Sequence, residues 1–459
     1  MKINSISNIQ NTNFLQKNLD KNTKDSENNS SRNIAIAAGC AGVATAGAVV
    51  FFKCRNTSIE QKVIKEMTPK DRAYRESILS QLKQAGIKCE IESLRSIVAP
   101  DEFKELVKKF KPEHFQAGKQ LSEQASAGMP LEEFYKNAVD GNFRVSLHTH
   151  TNCSDGKATP EVFLECARRY ADKVASMNKN DGLPPFTIAL TDHDTTQGCM
   201  EIIRLIAKNP EKYKNLKFVV GCEFSVRNGD SKHDITGLAL NPFEKGLRRY
   251  LDDLSQRRYN VVKNFLDSQP EYNGHKINFQ DLMKAEKEEY ASKGKGTKQS
   301  IENGSGIVAV RHAIKYFYKY TNQPVDREMV NKLGDMEISP IEQVLKTIKD
   351  NGGYSSLTHP LKSFWRYLGD DALIRLKDMG VEGIEVNHQY TPSKITKLGE
   401  ITGNKDNSDK VFQEITEQYR NFAQNNGMFI SGGTDSHELQ IFSRQPSIDN
   451  DFLETRLLK

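Results

Sequence analysis

From Phe143 onward, short β-like runs alternate with helical runs, and this alternation limits the fold more than any other feature of the chain. The runs that read as strands are FRVSL (143–147), FTIAL (186–190), KFVVG (217–221), DITGLAL (234–240), YSSL (354–357), GIEV (383–386) and MFIS (428–431). Helical segments lie between most of them, which predicts an α/β domain. In such folds, ligand sites gather beyond the carboxyl ends of the strands. One stretch breaks the alternation. Residues 242–340 are charged and largely helical, with a soft loop, ASKGKGTKQSIENGSG, at 291–306. This reads as a helical insertion into the α/β domain with a flexible segment inside it.

The chain upstream of Phe143 has a different texture. Residues 1–33 are rich in Asn, Ser and Lys and poor in apolar residues, a composition that predicts a disordered leader. Residues 34–53 form a candidate transmembrane anchor: the run from Ile34 to Phe52 is uncharged and 19 residues long, enough to span a hydrocarbon core as a helix. Basic residues crowd its far side at Lys53, Arg55, Lys62 and Lys65, which places the catalytic portion in the cytoplasm if the segment spans a membrane. Without such a span the whole protein is expected to be cytoplasmic. Residues 56–140 read as a helical region, with apolar spacing at Ile78, Leu79 and Leu82 and at Phe103, Leu106, Val107 and Phe110. A spacer or packing role is expected there. Residues 441–459 are left as a C-terminal tail.

Composition excludes some classes. With 65 basic and 60 acidic residues the net charge is only +5, which by itself is no nucleic-acid footprint. The seven cysteines are odd in number and form no CxxC pair, so they read as free thiols in a reducing compartment. Cys153 and Cys222 adjoin candidate ligands, yet buried apolar packing is the favoured role for both.

The chemistry sits at the strand ends. LHTHTNCSDG (147–156) places His148 and His150 two apart, so both can face one side, and Asp155 follows after a short turn. Two imidazoles and a carboxylate suit Zn, Mn or Fe. ALTDHDTTQG (189–198) gives His193, flanked by Asp192 and Asp194, either of which can orient it or cap the following helix. Glu223 directly follows an apolar run, where a carboxylate is costly unless a cation meets it. His233 and Asp234 are adjacent on a strand, so only one of them can reach a shared site. LTHPL gives His359, IEVNHQY gives Glu385 and His388, and SGGTDSHE gives Asp435 and His437. Five of the ten histidines fall at such ends, a pattern that chance explains poorly.

The ordered set HTHTNCSDG, TDHD, GCE, THP, GIEV and GGTDSH resembles the polymerase-and-histidinol-phosphatase (PHP) superfamily, from about residue 143 to 440. The resemblance implies a distorted (β/α)7-type barrel that holds two or three divalent ions (Mn, Fe or Zn) through His148, His150, Asp155, His193, Glu223, His359, Asp435 and His437. Where family members usually carry a further His, this chain has Asp234, which is taken as the ligand, with His233 as the alternative if a bulge brings it in. The helical insertion is similar to that of nucleoside 3′,5′-bisphosphate phosphatases and RNA-end-trimming exonucleases. Its nearest counterpart to their GRPH-like stretch is VAVRHA, with Arg311 and His312. The implied activity is hydrolysis of a phosphate monoester of a small metabolite or nucleotide by metal-activated hydroxide. Arg311, with Lys362, would clamp phosphate charge, and His388 or Asp192 would assist proton transfer. The competing expectations are histidinol phosphatase, a metal-dependent 5′–3′ exonuclease on short nucleic acid, and an inactive membrane-tethered binding module.

Overall fold

The structure, a computed structural model, describes residues 67–115, 143–177, 183–292, 309–336, 338–361, 368–388, 390, 392–403 and 405–437. These residues fall within one compact unit, Met67–Lys459. The leader, the candidate anchor at 34–53, the KGKGTK loop, Lys362 and the tail lie outside the described residues. Among the described residues, no helix is long and apolar enough to cross a membrane.

All seven expected strands form, together with a short eighth. They are β1 (Val145–Ser146), β2 (Phe186–Leu190), β3 (Leu216–Asn228), β4 (Ser231–Leu238), β5 (Ser339–Pro340), β6 (Tyr354–Leu357), β7 (Gly383–His388) and β8 (Phe429–Gly433). The sheet order is β1-β2-β3-β4-β6-β7-β8, with β5 paired to β3 outside this path. The N–H of Leu147 donates to the carbonyl of Gly432 at 2.8 Å, and Thr149 bridges Ser436, so β8 returns beside β1. The result is a nearly closed seven-strand barrel. It is distorted because β4 runs antiparallel to both its neighbours, β3 and β6.

The expectation of helices between most of the strands leaves room for this hairpin of β3 and β4. No helix separates β3 from β4, since the chain turns directly at Asn228-Gly229-Asp230, and Gly229 takes the positive φ of 56° that the tight turn needs. Strand β3 is also 13 residues long and continues past the barrel mouth. Glu223 therefore lies within it instead of just beyond its end.

Of the two roles expected for the helical region before the barrel, spacer or packing, its described residues show packing. Phe103, Leu106 and Phe115 share one apolar cluster with the inward residues Val145, Leu147, Ala189, Val219 and Leu238. The Phe103 ring lies 5.5 Å from that of Tyr354 and 5.9 Å from that of Phe429. Backbone bonds tie this segment to β3: Val98 N–H donates to Phe218 O at 2.8 Å, and Phe218 N–H to Ser96 O at 2.7 Å. Residues 96–115 thus fill the barrel end opposite the candidate site. Helix Pro69–Gln84 packs alongside, with Tyr74 Oη donating to Leu240 O at 2.9 Å.

Four helices stand where the sequence suggests an insertion. Helices Lys245–Ser268, Phe279–Ser292, Val310–Tyr320 and Arg327–Asp335 lie between β4 and β5. Their core, including Val262, Phe265, Ile314, Phe317 and Val330, is separate from the barrel's. Helix Lys245–Ser268 joins the two: Leu247, Leu251 and Leu254 belong to the main core and Val261, Val262 and Phe265 to the insertion. Its 24 residues span roughly 36 Å at 1.5 Å per residue.

Candidate metal centre

All nine donors expected from the sequence converge at the mouth formed by the carboxyl ends of the parallel strands. They fall into three adjoining groups: His150, Asp155, His193 and His437; His148, His150, Glu223 and Asp435; and Glu223, Asp234 and His359. Within each group, one donor atom per residue lies within 4.8 Å of the others.

Glu223 is the hub. It is fully buried, and its Oε2 lies 3.1 Å from His148 Nε2, 3.3 Å from His150 Nε2 and 3.3 Å from His193 Nδ1. Its Oε1 faces the other way, 3.0 Å from His359 Nε2. Asp435 Oδ1 lies 3.0 Å from His150 Nε2 and 3.4 Å from His148 Nε2. At the open edge, Asp155 Oδ2 is 3.1 Å from His437 Nε2 and 3.8 Å from His193 Nε2.

Register settles which member of the His233–Asp234 pair faces this cluster. Asp234 stands opposite Ser225 and His233 opposite Val226, so alternation turns Asp234 to the side of Glu223. The reversed strand also explains the placement, because the start of β4 lies at the mouth where the parallel strands end. Asp234 Oδ2 lies 3.9 Å from His359 Nε2.

Several backbone positions are strained here. Asp194, His359 and Asp435 are non-glycine residues with φ of 49°, 28° and 48°. Such conformations persist only where surrounding contacts enforce them. Each of these N–H groups is held inside the site: Asp194 donates to Glu223 O at 2.8 Å, Asp435 to His148 O at 3.0 Å, and His359 to Glu385 Oε2 at 2.7 Å.

The donors fit divalent cations. Burial alone would raise the Glu223 carboxyl, but the surrounding imidazoles of His193 and His148 outweigh it and hold it well below the usual range. Burial likewise opposes charge on His150, yet its bonds to Asp435 and Glu223 push it up to about 10. Protons on imidazoles thus supply the positive charge that this concentration of carboxylates requires. Metal binding would supply it instead and release those protons. His150 Nδ1 and Glu223 Oε1 are buried without a hydrogen bond, an arrangement that suits ligand atoms.

A carboxylate behind the cluster fixes its orientation. Glu385 lies 3.1 Å from His148 Nδ1, which turns His148 Nε2 towards Glu223 and Asp435. Ligating histidines are commonly oriented in this way. Glu385 stands out in the sequence only as one carboxylate in IEVNHQY, and its role depends on contacts with residues far away in the chain.

Solved structures similar to the chain include a candidate metal-dependent phosphoesterase from Bifidobacterium adolescentis, at 19% identity and TM-score 0.41, covering 67% of this chain and 91% of that one. A second is an amidohydrolase from Chromobacterium violaceum with bound sulfate and no metal, at 21% and 0.41, covering 64% and 88%. A third is a two-domain protein from Bacteroides vulgatus containing a predicted PHP-like metal-dependent phosphoesterase, at 12% and 0.27, covering 64% and 52%. No family model matches the chain, and neither does any curated protein. The residues of the ordered motifs converge on one barrel mouth.

Three residues expected to act on substrate, Asp192, His388 and Arg311, have the following surroundings. Asp192 accepts hydrogen bonds from Thr151 N–H at 2.7 Å, Thr151 Oγ1 at 2.6 Å and Ser154 Oγ at 2.7 Å. It pins the loop that carries His150 and Asp155, and is sealed from the mouth at 1% exposure. His388 lies behind His148 and His359, bonded to Glu385 at 3.3 Å, and burial brings it down to about 4. With His148 and Glu385 it forms a further group of donors within 4.8 Å of one another. Arg311 pairs with Asp335, which also pairs with Lys232 at the β3–β4 hairpin, and His312 bonds the buried Glu286 within the insertion.

The helix Lys245–Ser268 reaches the candidate metal centre through another residue. Arg258 Nη2, from helix Lys245–Ser268, bonds Asp194 Oδ2 at 2.9 Å, directly beside His193. In the sequence it is one cation in a basic helix, with no local feature to mark it. The thiols stay apart: burial pushes Cys153 and Cys222 well above the usual range, and neither belongs to the donor groups.

Proposed function

We propose that the chain is a metal-dependent phosphoesterase that hydrolyses the phosphate monoester of a small metabolite or of a nucleotide, a 3′,5′-bisphosphonucleotide included. The observation that carries this reading is the sharing of Glu223 between two adjoining donor groups, one carboxylate oxygen to each. A single structural metal needs one closed set of about four ligands, whereas adjoining open sets that share a carboxylate suit a multi-metal hydrolytic centre.

The ions would be held by His148, His150, Asp155, His193, Glu223, Asp234, His359, Asp435 and His437, as two or three divalent cations of the manganese, iron or zinc kind. When bound, they would supply Lewis acidity towards the phosphoryl oxygens and the activation of water at neutral pH. The chain's own residues do the rest. Glu385 and His388 orient the inner imidazoles, Asp192 fixes the loop bearing His150 and Asp155, and Arg258 holds Asp194 at the rim. Burial of the inner donors keeps bulk water away, which strengthens the field they exert on an anionic substrate.

The test is phosphate release by the full chain with Mn²⁺, on a 3′,5′-bisphosphonucleotide, histidinol phosphate, an aryl phosphate and a short RNA. Asp435→Asn is expected to abolish release on every substrate and to lower bound metal. Undiminished turnover in that variant would refute the site. Release from the bisphosphonucleotide alone would make the insertion the specificity element, and nucleoside monophosphates freed from the RNA without inorganic phosphate would favour the exonuclease reading.

A further inference from the structure

We infer that the two ends of the donor cluster select different metals, the Asp234 end a manganese- or magnesium-like ion and the His437 end a zinc- or iron-like ion. The inference rests on the metal-centre reading above and adds to it an order of preference along the cluster.

The donor groups form a gradient. The group around His437 offers three imidazoles and one carboxylate, the middle group two of each, and the group around Asp234 one imidazole and two carboxylates. Glu223 divides this gradient, with Oε2 turned to His148, His150 and His193 and Oε1 to His359 alone. Carboxylate oxygens are hard donors that suit magnesium and manganese, while imidazole nitrogens suit zinc and iron. Zinc outcompetes manganese at most sites taken singly, so the gradient appears in the ratio of the two metals and not as exclusion of either.

Asp234 decides the character of its end. It faces the cluster by register, and Ser225 Oγ donates to its Oδ1 at 3.2 Å, leaving Oδ2 on the side of His359. An imidazole at this position would make the group two nitrogens to one carboxylate and erase most of the difference between the ends.

The experiment is a metal competition read by composition. The full chain is stripped with chelator and equilibrated with free Mn²⁺ in large, metal-buffered excess over free Zn²⁺, which offsets the general preference for zinc. Bound metals are then measured by elemental analysis, and bound Mn²⁺ by electron paramagnetic resonance. The parent chain is expected to hold both metals. Asp234→His should move about one equivalent from manganese to zinc at unchanged total content. Asp234→Glu, which keeps the carboxylate, should retain the manganese, and His437→Asp should shift the ratio towards manganese. Circular dichroism reports which variants fold, and the ratio in either Asp234→His or His437→Asp is decisive if the other does not. An unchanged ratio at unchanged total content overturns the inference and leaves the metal centre standing. A parent chain that binds neither metal overturns both.

Discussion

Glu385 is buried, and its two oxygens hold His148, His388 and the backbone N–H of His359. Because it touches these groups and not the open edge, its substitution should separate orientation of the donors from their number. Glu385→Gln keeps the shape but removes the charge that fixes the His148 tautomer. The expected outcome is a loss of about 10–100-fold in metal affinity with the fold retained, measured by metal titration alongside circular dichroism. Unchanged affinity would show that His148 is held by its other neighbours. At the same scale, Asp192 and His388 are held by the chain's own groups, and both are as buried as the candidate ligands His148 and His150.

Among the elements, β8 decides whether the barrel can close on its own site. Its two final glycines pass close to β1 and β7. A Cβ on Gly433 would lie 2.6 Å from both the backbone nitrogen and the Cβ of His148, and one on Gly432 would lie 2.5 Å from Asn387 O. Backbone and a ligand's own Cβ cannot move aside cheaply. Gly433→Ala is therefore expected to lower bound metal sharply and to cost about 1–3 kcal/mol of stability, measured by elemental analysis and by denaturant unfolding. Metal content equal to the parent's would disprove the close approach. The hairpin of β3 and β4 acts at this scale too. By turning back without a helix, it brings Asp234 to the same mouth as Glu223.

Across the whole molecule, the N-terminal helices belong to the barrel. Phe103 is 1% exposed among inward barrel residues, and Phe103→Ala should cost about 3–5 kcal/mol through the cavity it leaves. Chemical denaturation measures this, and a loss below about 1 kcal/mol would mean that the segment only rests on the barrel. Glu102 adds a pH dependence. It accepts from Arg75 at 2.7 Å and from Lys217 on β3 at 2.7 Å. Burial opposes its charge, but Lys217 and Arg75 outweigh burial and depress its carboxyl below the ordinary 4.5. A depressed folded value means that this stabilisation is present above about pH 4.5 and is lost as pH falls through the folded value. Glu102→Gln should therefore destabilise by about 1–3 kcal/mol at neutral pH, with the difference from the parent vanishing in acid. A difference that persists in acid would point to packing instead of charge.

Local pattern was enough to read the seven barrel strands and the strand ends where the candidate donors other than Asp234 gather, because strand runs and their ends are each written within a few consecutive residues. The choice of Asp234 over His233, the outer place of Glu385, the inward burial of Asp192 and His388, and the pairing of Arg311 with Asp335 needed the fold. Each depends on a register or on a contact between residues distant in sequence. The same reason separates the N-terminal helices from a spacer: their apolar faces were legible at Ile78, Leu82, Phe103 and Leu106, but the surface that those faces meet is made by β1, β2, β3 and β4. A sequence specifies which residues must be buried, and tertiary structure alone decides against what.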